Sequence, residues 1–260
     1  MTQGLGYVDP GYLDAAARLV AHGKRLSHER MRVTLGATVL DVGCGPGTDT
    51  IPLAERVGPA GFVHGIDRDA GMVAEAERRA AAAGAAGRVE HRAGDACALP
   101  WGDATFDAVR CERLFLHLDH PEQATAEMVR VTRPGGRVVV MDTDWGTRSV
   151  DTPEVDLERR LARVLTERCM ANGYSGRRLW GLMKEAAVRD LTVDLIPLHV
   201  DGYDLWRLLS RMEIAFGEAV RTGAMTEDEV RRLDGSFREK DAAGTFFAST
   251  TVMLVAGTKA

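Results

Sequence analysis

A chain of 260 residues with 33 basic and 38 acidic side chains can bury a full core and still carry local insertions, and its net charge of −5 gives no general attraction to nucleic acid or anionic membranes. Its four cysteines, Cys44, Cys97, Cys111 and Cys169, are scattered without a C-x-x-C pair, which argues against a disulfide framework or a zinc site and for reduced, mostly buried thiols. The first thirty residues carry Asp9, Asp14, Arg18, Lys24 and Arg25 with no apolar run of signal-peptide length, and no later run reaches the length of a membrane span, so a cytoplasmic protein is expected.

In chain order, a Gly-rich polar start with Tyr7 leads through Pro10 into a helical pattern from Tyr12 towards Leu26, read as a covering helix or lid. Val39, Leu40 and Val42 then form a short apolar run with Asp41 inside it, which fits a strand covered on both faces. Gly43, Gly45 and Gly47 follow, so the backbone can take positive φ and a ligand can approach it closely. A dinucleotide fingerprint, G-x-G-x-x-G, needs glycine at 48, where this chain has Thr48. Asp41 at the strand end suits a cation better than a pyrophosphate. A helix is expected from Thr48 to Val57, with Pro52 tolerable in its first turn. The second strand, Phe62 to Ile66, ends on Asp67 and Arg68, and an acidic side chain about twenty residues past the glycine turn is placed to accept from ribose hydroxyls. Asp69 is the better N-cap for the alanine-rich helix that follows.

An outer strand over Arg88–Ala93 precedes Gly94-Asp95-Ala96, and Phe106 to Cys111 reads as the fourth strand, running into Glu112, Arg113 and His117. Pro121 starts a helix closed by Pro134-Gly135-Gly136, and Arg137 to Met141 is a fifth buried strand with Asp142, Asp144 and Trp145 at its end. Helical patterns over Thr152–Met170, Arg178–Val188, Tyr203–Arg221 and Glu227–Lys240 alternate with strands at Leu191–Leu198 and Phe246–Val255.

The glycine turn resembles motif I of the class I S-adenosylmethionine-dependent methyltransferases. Asp67, Gly94-Asp95-Ala96, Phe106-Asp107 and Pro134-Gly135-Gly136 are similar to that family's later landmarks in the same order. The resemblance points to the small-molecule branch like the ubiquinone and menaquinone methyltransferases, because the Asn/Asp-Pro-Pro-Tyr tetrapeptide of nucleobase amino-methylating enzymes is missing after the fourth strand. It implies an α/β fold: a Rossmann-like seven-stranded, mostly parallel sheet with an antiparallel last strand between the fifth and sixth, helices on both faces, and a helical cap. It also implies one domain over 1–260, with N-terminal lid helices at 1–34, a cofactor-binding core at 35–145, cap insertions at 148–190 and 201–244, and closing strands at 191–200 and 245–257.

The implied cofactor is S-adenosylmethionine, held by Asp41, Gly43, Cys44, Gly45, Gly47, Thr48, Asp67, Arg68, Gly94, Asp95, Ala96, Cys111 and Glu112. Asp95 is the implied adenine reader. Glu112 could meet the cofactor's ammonium, or Arg113 its carboxylate. His117 is the candidate general base, since imidazole is partly neutral near pH 7, and no metal is required. Trp180, Tyr203, Trp206, Met212 and Phe216 are expected to roof the pocket. The expected partner is a small-molecule substrate accepting methyl on oxygen, carbon or nitrogen, with no nucleic acid, no membrane insertion, and a monomer or homodimer. Two rival readings are a nicotinamide-dependent oxidoreductase and a protein that keeps the cofactor as scaffold while it binds or cyclises a ligand.

Overall fold

The computed structural model describes residues 19–260. Tyr7, Tyr12 and the start of the expected lid helix lie outside them; the described part of that segment is helix α1 (Ala21–Arg30). Seven strands follow, β1 (Thr38–Val42), β2 (Phe62–Asp67), β3 (Val89–Ala93), β4 (Phe106–Glu112), β5 (Thr132–Val150), β6 (Arg189–Val200) and β7 (Ala248–Thr258). They make one sheet in the order β3-β2-β1-β4-β5-β7-β6. The pairs β1–β2, β2–β3, β1–β4 and β4–β5 are parallel, whereas β7 runs antiparallel between β5 and β6. The expected sheet, with its inserted antiparallel strand, is the one observed.

Strand alternation explains why both faces are covered. Val39, Val63, Ala108, Val139 and Leu254 pack on one face with α1 and with Leu53, Ala54 and Val57 of α2 (Thr50–Val57). Leu40, Val42, Val109, Cys111, Val138 and Val140 pack on the other, against Ala124, Met128 and Val131 of α4 (Pro121–Val131). Between them in sequence, α3 (Ala70–Ala82) starts at Asp69, whose side chain accepts from the amides of Gly71 and Met72 at 2.7 and 3.2 Å, as expected of an N-cap.

Four further helices are α5 (Val155–Arg168), α7 (Tyr203–Leu209), α8 (Met212–Arg221) and α9 (Glu227–Ala242). Their apolar faces meet one another and the far ends of three strands, Val150, Val200 and Ala248, in a separate core. One helix differs from the expected cap. In α6 (Ser175–Glu185), Leu179, Leu182 and Met183 join the sheet-face core beside α4, so the stretch 148–190 is divided between cap and sheet layer. Two boundaries also differ. Helix α2 starts at Thr50, because Thr48 and Asp49 remain in the turn, and β5 pairs from Thr132 through the Pro-Gly-Gly segment with a register shift opposite Phe106 and Ala108.

Chain direction is what positions the site. From β1 the chain winds outward through β2 and β3, then returns to β4 on the other side of β1. The carboxyl ends of β1 and β4, with Val42 opposite Cys111, therefore border a crevice where the winding reverses, the place at which ligands enter open parallel sheets.

Candidate active site

Above that crevice lies a cavity of about 290 Å³, bounded by the glycine turn, the ends of β2 and β4, helix α1 and the cap. Of the residues expected to hold a cofactor, Asp41, Gly43, Cys44, Gly45, Thr48, Asp67, Arg68, Gly94, Asp95, Ala96 and Glu112 line it, as does His117. Gly47 and Cys111 do not. Gly47 serves packing: at φ +79°, a Cβ on it would come within 3.1 Å of Ala76 in α3, so the glycine lets helix and turn close together. The Cys111 side chain points into the α4-side core, and burial raises its thiol pKa far above the usual range.

The turn is held by Asp67. One carboxylate oxygen accepts from the Gly45 amide at 2.9 Å and the other from the Asp69 amide at 3.0 Å. At Gly45 itself φ is +51° and a Cβ would meet nothing within 4 Å, so at this point the cavity floor is backbone with open space above it. Asp95 accepts from the Cys97 amide at 2.8 Å, which fixes its turn while its side chain stays exposed to the cavity.

Beneath the methionine end of the expected cofactor position is a buried ion cluster that the sequence reading missed. Fully buried Arg110 meets Asp41 at 3.1 Å, Asp49 at 3.2 Å and Glu112 at 2.8 Å. Lys24 of α1 reaches Asp49 and, at 2.8 Å, Glu112; His28 binds Asp49 at 2.9 Å. Burial would raise the pKa of Asp49, but Arg110, Lys24 and His28 outweigh it and hold the carboxyl well below its usual range. Burial and the Asp49 charge push Glu112 upward, yet Lys24, Arg113 and Arg110 bring the net shift down. Asp41 goes the other way. Its burial, with Asp49 and Glu112 already sharing Arg110, pushes it up to about 7. Burial also lowers the pKa of His28, so that ring adds no dependable charge. Arg110, Lys24 and, at the rim, Arg113 thus face three carboxylates, and among the described residues the Asp41 carboxyl is bonded only to Arg110, which it shares with Asp49 and Glu112. A ligand ammonium beside Asp41 would add a second cation to that carboxyl and favour its charged form, and the donor set fits S-adenosylmethionine in this respect.

His117 ends a 3-10 turn, Phe115–His117, that follows β4. The turn is pinned from below by buried Asp142, which accepts from the Leu116 amide at 2.9 Å and whose pKa burial raises to about 7. It is pinned from the side by Asn172, whose amide donates to Leu116 O at 3.0 Å. The His117 ring is exposed to the cavity but enclosed by protein. That enclosure, with the charges of Arg68, Arg113 and Arg211, lowers its pKa to about 4. The imidazole is therefore neutral across the physiological range, and a weaker base than an unperturbed histidine.

Asp144, a candidate for substrate contact, is instead buried against Arg177, with Nη2 at 3.0 Å from its Oδ1, and accepts from the Gly146 amide at 3.0 Å. Its neighbour Trp145 does line the cavity. Alternation accounts for it: Trp145 lies two residues beyond Thr143, which lines the cavity as well, whereas Asp142 and Asp144 face the other way and are buried. Of the expected roof residues only Trp206 reaches the cavity. Tyr203, Met212 and Phe216 fill the cap core, and Trp180 is exposed on α6 under Lys184. Helical periodicity marks such residues as apolar without saying which neighbour they face. Among the described residues no three His, Cys, Asp or Glu side chains are grouped to hold a metal ion, and no helix is long and apolar enough to cross a membrane.

Residues 39–136 match the family model described as a methyltransferase domain. The chain is similar to an uncharacterised 37.1 kDa protein in transposon TN4556 of Streptomyces fradiae, 36% identical over 222 residues, 85% of this chain and 62% of that one. It is also similar to a demethylmenaquinone methyltransferase of Halalkalibacterium halodurans, 37% identical over 122 residues, 46% of this chain and 48% of the relative. The chain thus spans about half to three fifths of the length of these relatives. Among solved structures, the YcgJ protein of Bacillus subtilis superposes with a TM-score of 0.65 at 18% identity, covering 92% of this chain and 98% of that one, which shows a common fold.

Proposed function

We propose, from the premise that this chain carries a class I methyltransferase domain whose cofactor is S-adenosylmethionine, that it transfers a methyl group to a small-molecule acceptor seated between the sheet crevice and the helical cap. The observation that carries this reading is one continuous cavity with two unlike walls. On the sheet side are backbone at Gly43 and Gly45 and the carboxylates Asp41, Asp67 and Asp95; on the cap side are Met170, Trp206 and Leu209; His117 and Trp145 also line it.

The cofactor supplies an electrophilic methyl on a sulfonium. The protein's part is placement. Asp67 and Asp95 would accept hydrogen bonds from the nucleoside end, the backbone at Gly45 would allow its close approach, and Asp41 with the Arg110 cluster would receive the ammonium. The apolar cap would exclude water and hold the acceptor against the methyl-bearing end of the cofactor, the placement that makes such a displacement fast. His117 accepts the proton that the acceptor loses, and its lowered pKa makes the histidine ready to pass that proton on to solvent. The acceptor belongs to the small metabolites, the class named for the menaquinone-pathway relative.

Calorimetry with S-adenosylmethionine, S-adenosylhomocysteine and NAD tests the cofactor. Binding of the first two and not the third is expected; NAD binding alone would make the protein an oxidoreductase. Mass spectrometry of a metabolite extract incubated with the protein and cofactor should then show a product one methyl heavier together with S-adenosylhomocysteine. If cofactor binds but is never demethylated across the extract, methyl transfer is wrong and the pocket binds or cyclises its ligand.

A further inference from the structure

The charges around the cavity are not evenly distributed. Its carboxylates, Asp41, Asp49, Asp67, Asp95 and Glu112, all stand on the strand ends or the loops after β1, β2 and β3 and are bonded to named protein groups: the Arg110 cluster, the Gly45 and Asp69 amides, or the Cys97 amide. The wall contributed by α7 and the start of α8 presents Trp206 and Leu209, and one charge, Arg211. No carboxylate of the cavity lies on that wall. The nearest acid along α8, Glu213, is bound to Arg207.

Arg211 is held there at a cost. Its backbone is left-handed, φ +50° and ψ +48°, a conformation that a non-glycine residue adopts against a steric penalty and that gathers at ligand sites. The neighbouring structure fixes it: the Arg211 amide donates to Leu208 O at 3.2 Å, and Met212, the next residue, is fully buried in the cap core. Its guanidinium has no hydrogen bond or ion pair with any described residue. Among the described residues six non-glycine residues have positive φ, and the two of them that line the cavity are both arginines, Arg211 on the cap and Arg113 on the rim after β4. The Arg113 amide is anchored to Met141 O at 2.8 Å, and its guanidinium is bonded through Nε alone, to Glu112 at 3.1 Å. Two strained backbones thus put two guanidinium groups at the cavity from opposite elements.

A wholly neutral acceptor would leave Arg211 enclosed beside an apolar body with its charge unmatched, which disfavours binding. Resting on the methyltransferase reading above, we infer that the acceptor is an amphipathic anion, an apolar body against Trp145, Trp206 and Leu209 with a carboxylate or phosphate held by Arg211. Arg211 is then a specificity residue on the acceptor. Guanidinium pairs with either anion in a two-point geometry that lysine cannot reproduce.

The test uses the full chain saturated with S-adenosylhomocysteine and three probes sharing one ring system, 2-naphthoate, 2-naphthyl phosphate and 2-naphthalenemethanol. Binding is read from the fluorescence of the cavity tryptophans. At least one anion should bind about tenfold or more tightly than the alcohol. Arg211→Asn, which tolerates the left-handed backbone, should remove that preference while leaving the affinities for the alcohol and for S-adenosylhomocysteine within about twofold. Arg211→Lys should retain only part of it. Equal affinities for all three probes, absence of anion binding up to about 1 mM, or an anion preference that survives in Arg211→Asn overturns the inference. Failure of S-adenosylhomocysteine to bind the unmodified protein would instead overturn the methyltransferase reading, so the two failures are distinguishable.

Discussion

The two walls of the cavity are built on different principles. On the sheet side the polar groups around the glycine turn have protein partners: Asp67 holds the turn by two amides, and Arg110 and Lys24 tie Asp41, Asp49 and Glu112 into one buried cluster. The one sheet-side exception among these is Arg110 Nε, whereas on the cap wall the Trp206 Nε1 has no hydrogen bond among the described residues, and behind it fully buried Arg148 leaves Nε and Nη1 unpaired and Glu158 its Oε1. A wall whose geometry is fixed by backbone and ion pairs suits a constant ligand, and one made of apolar side chains and a few uncommitted polar groups suits a ligand that differs between relatives. The contrast also explains where stability should reside. Removing one partner from a buried ion cluster exposes the desolvation cost of the others, whereas trimming an apolar side chain loses only its own contacts.

Arg110→Met should break the comparison most severely. It leaves Asp41 buried without an ion-pair partner among the described residues and Asp49 and Glu112 sharing Lys24, and a loss of about 3–5 kcal/mol is expected in urea unfolding; a loss below about 1 kcal/mol would mean that the cluster does not hold the sheet wall. Next in size, His117→Ala should lower turnover about a hundredfold, the lower end for a general base because the lowered pKa weakens it. The sign of its pH dependence follows from that shift. The neutral ring persists as pH falls below its ordinary value, so the acid limb of kcat/KM belongs near pH 4 and not near 6.5. A limb at 6.5 that vanishes in His117→Ala would show that the three arginines do not act on the ring, and turnover changed less than about threefold would remove His117 from the chemistry.

Gly45→Ala adds one methyl to the sheet wall where no protein atom stands within 4 Å, so its effect should fall on the ligand. Calorimetry should show S-adenosylhomocysteine bound about tenfold or more weakly, with stability reduced by only about 1–2 kcal/mol for the left-handed backbone. Unchanged affinity would place the cofactor elsewhere in the cavity. The smallest expected effect is that of Trp180→Ala. The side chain is 43% exposed and away from the cavity, so acceptor KM should stay within about twofold and stability within about 0.5 kcal/mol. A marked rise in KM would restore Trp180 to the pocket roof.

Much of the sheet wall was legible in the chain because it depends on short-range patterns. Period-two apolar runs give β1, β2, β4 and the central part of β5. Glycines at 43 and 45 mark a turn the backbone must make, and an acidic residue ending β2 lies beside that turn whenever β1 and β2 are parallel neighbours. The same spacing could not separate Gly45, which borders the cavity, from Gly47, which lets α3 approach, since both are glycines at positive φ and only the neighbouring helix distinguishes them. Nor could it give the direction of Cys111, one residue before Glu112 on a strand with both faces covered, where alternation says the two differ but not which one faces the ligand.

What the sequence by itself determined is therefore the fold class and most of the residues that line the crevice, because those follow from local backbone geometry and the order of a few landmarks. Tertiary structure alone decided the partners. Lys24 meets Asp49 and Glu112 across separations of 25 and 88 residues that no motif encodes, and Arg110 joins the same two carboxylates. The seating of α6 on the sheet leaves α7 and the start of α8 to carry Trp206 and Arg211 to the cavity. Side-chain pairing of this kind is set by the packing of distant elements, which short-range patterns in the chain do not encode.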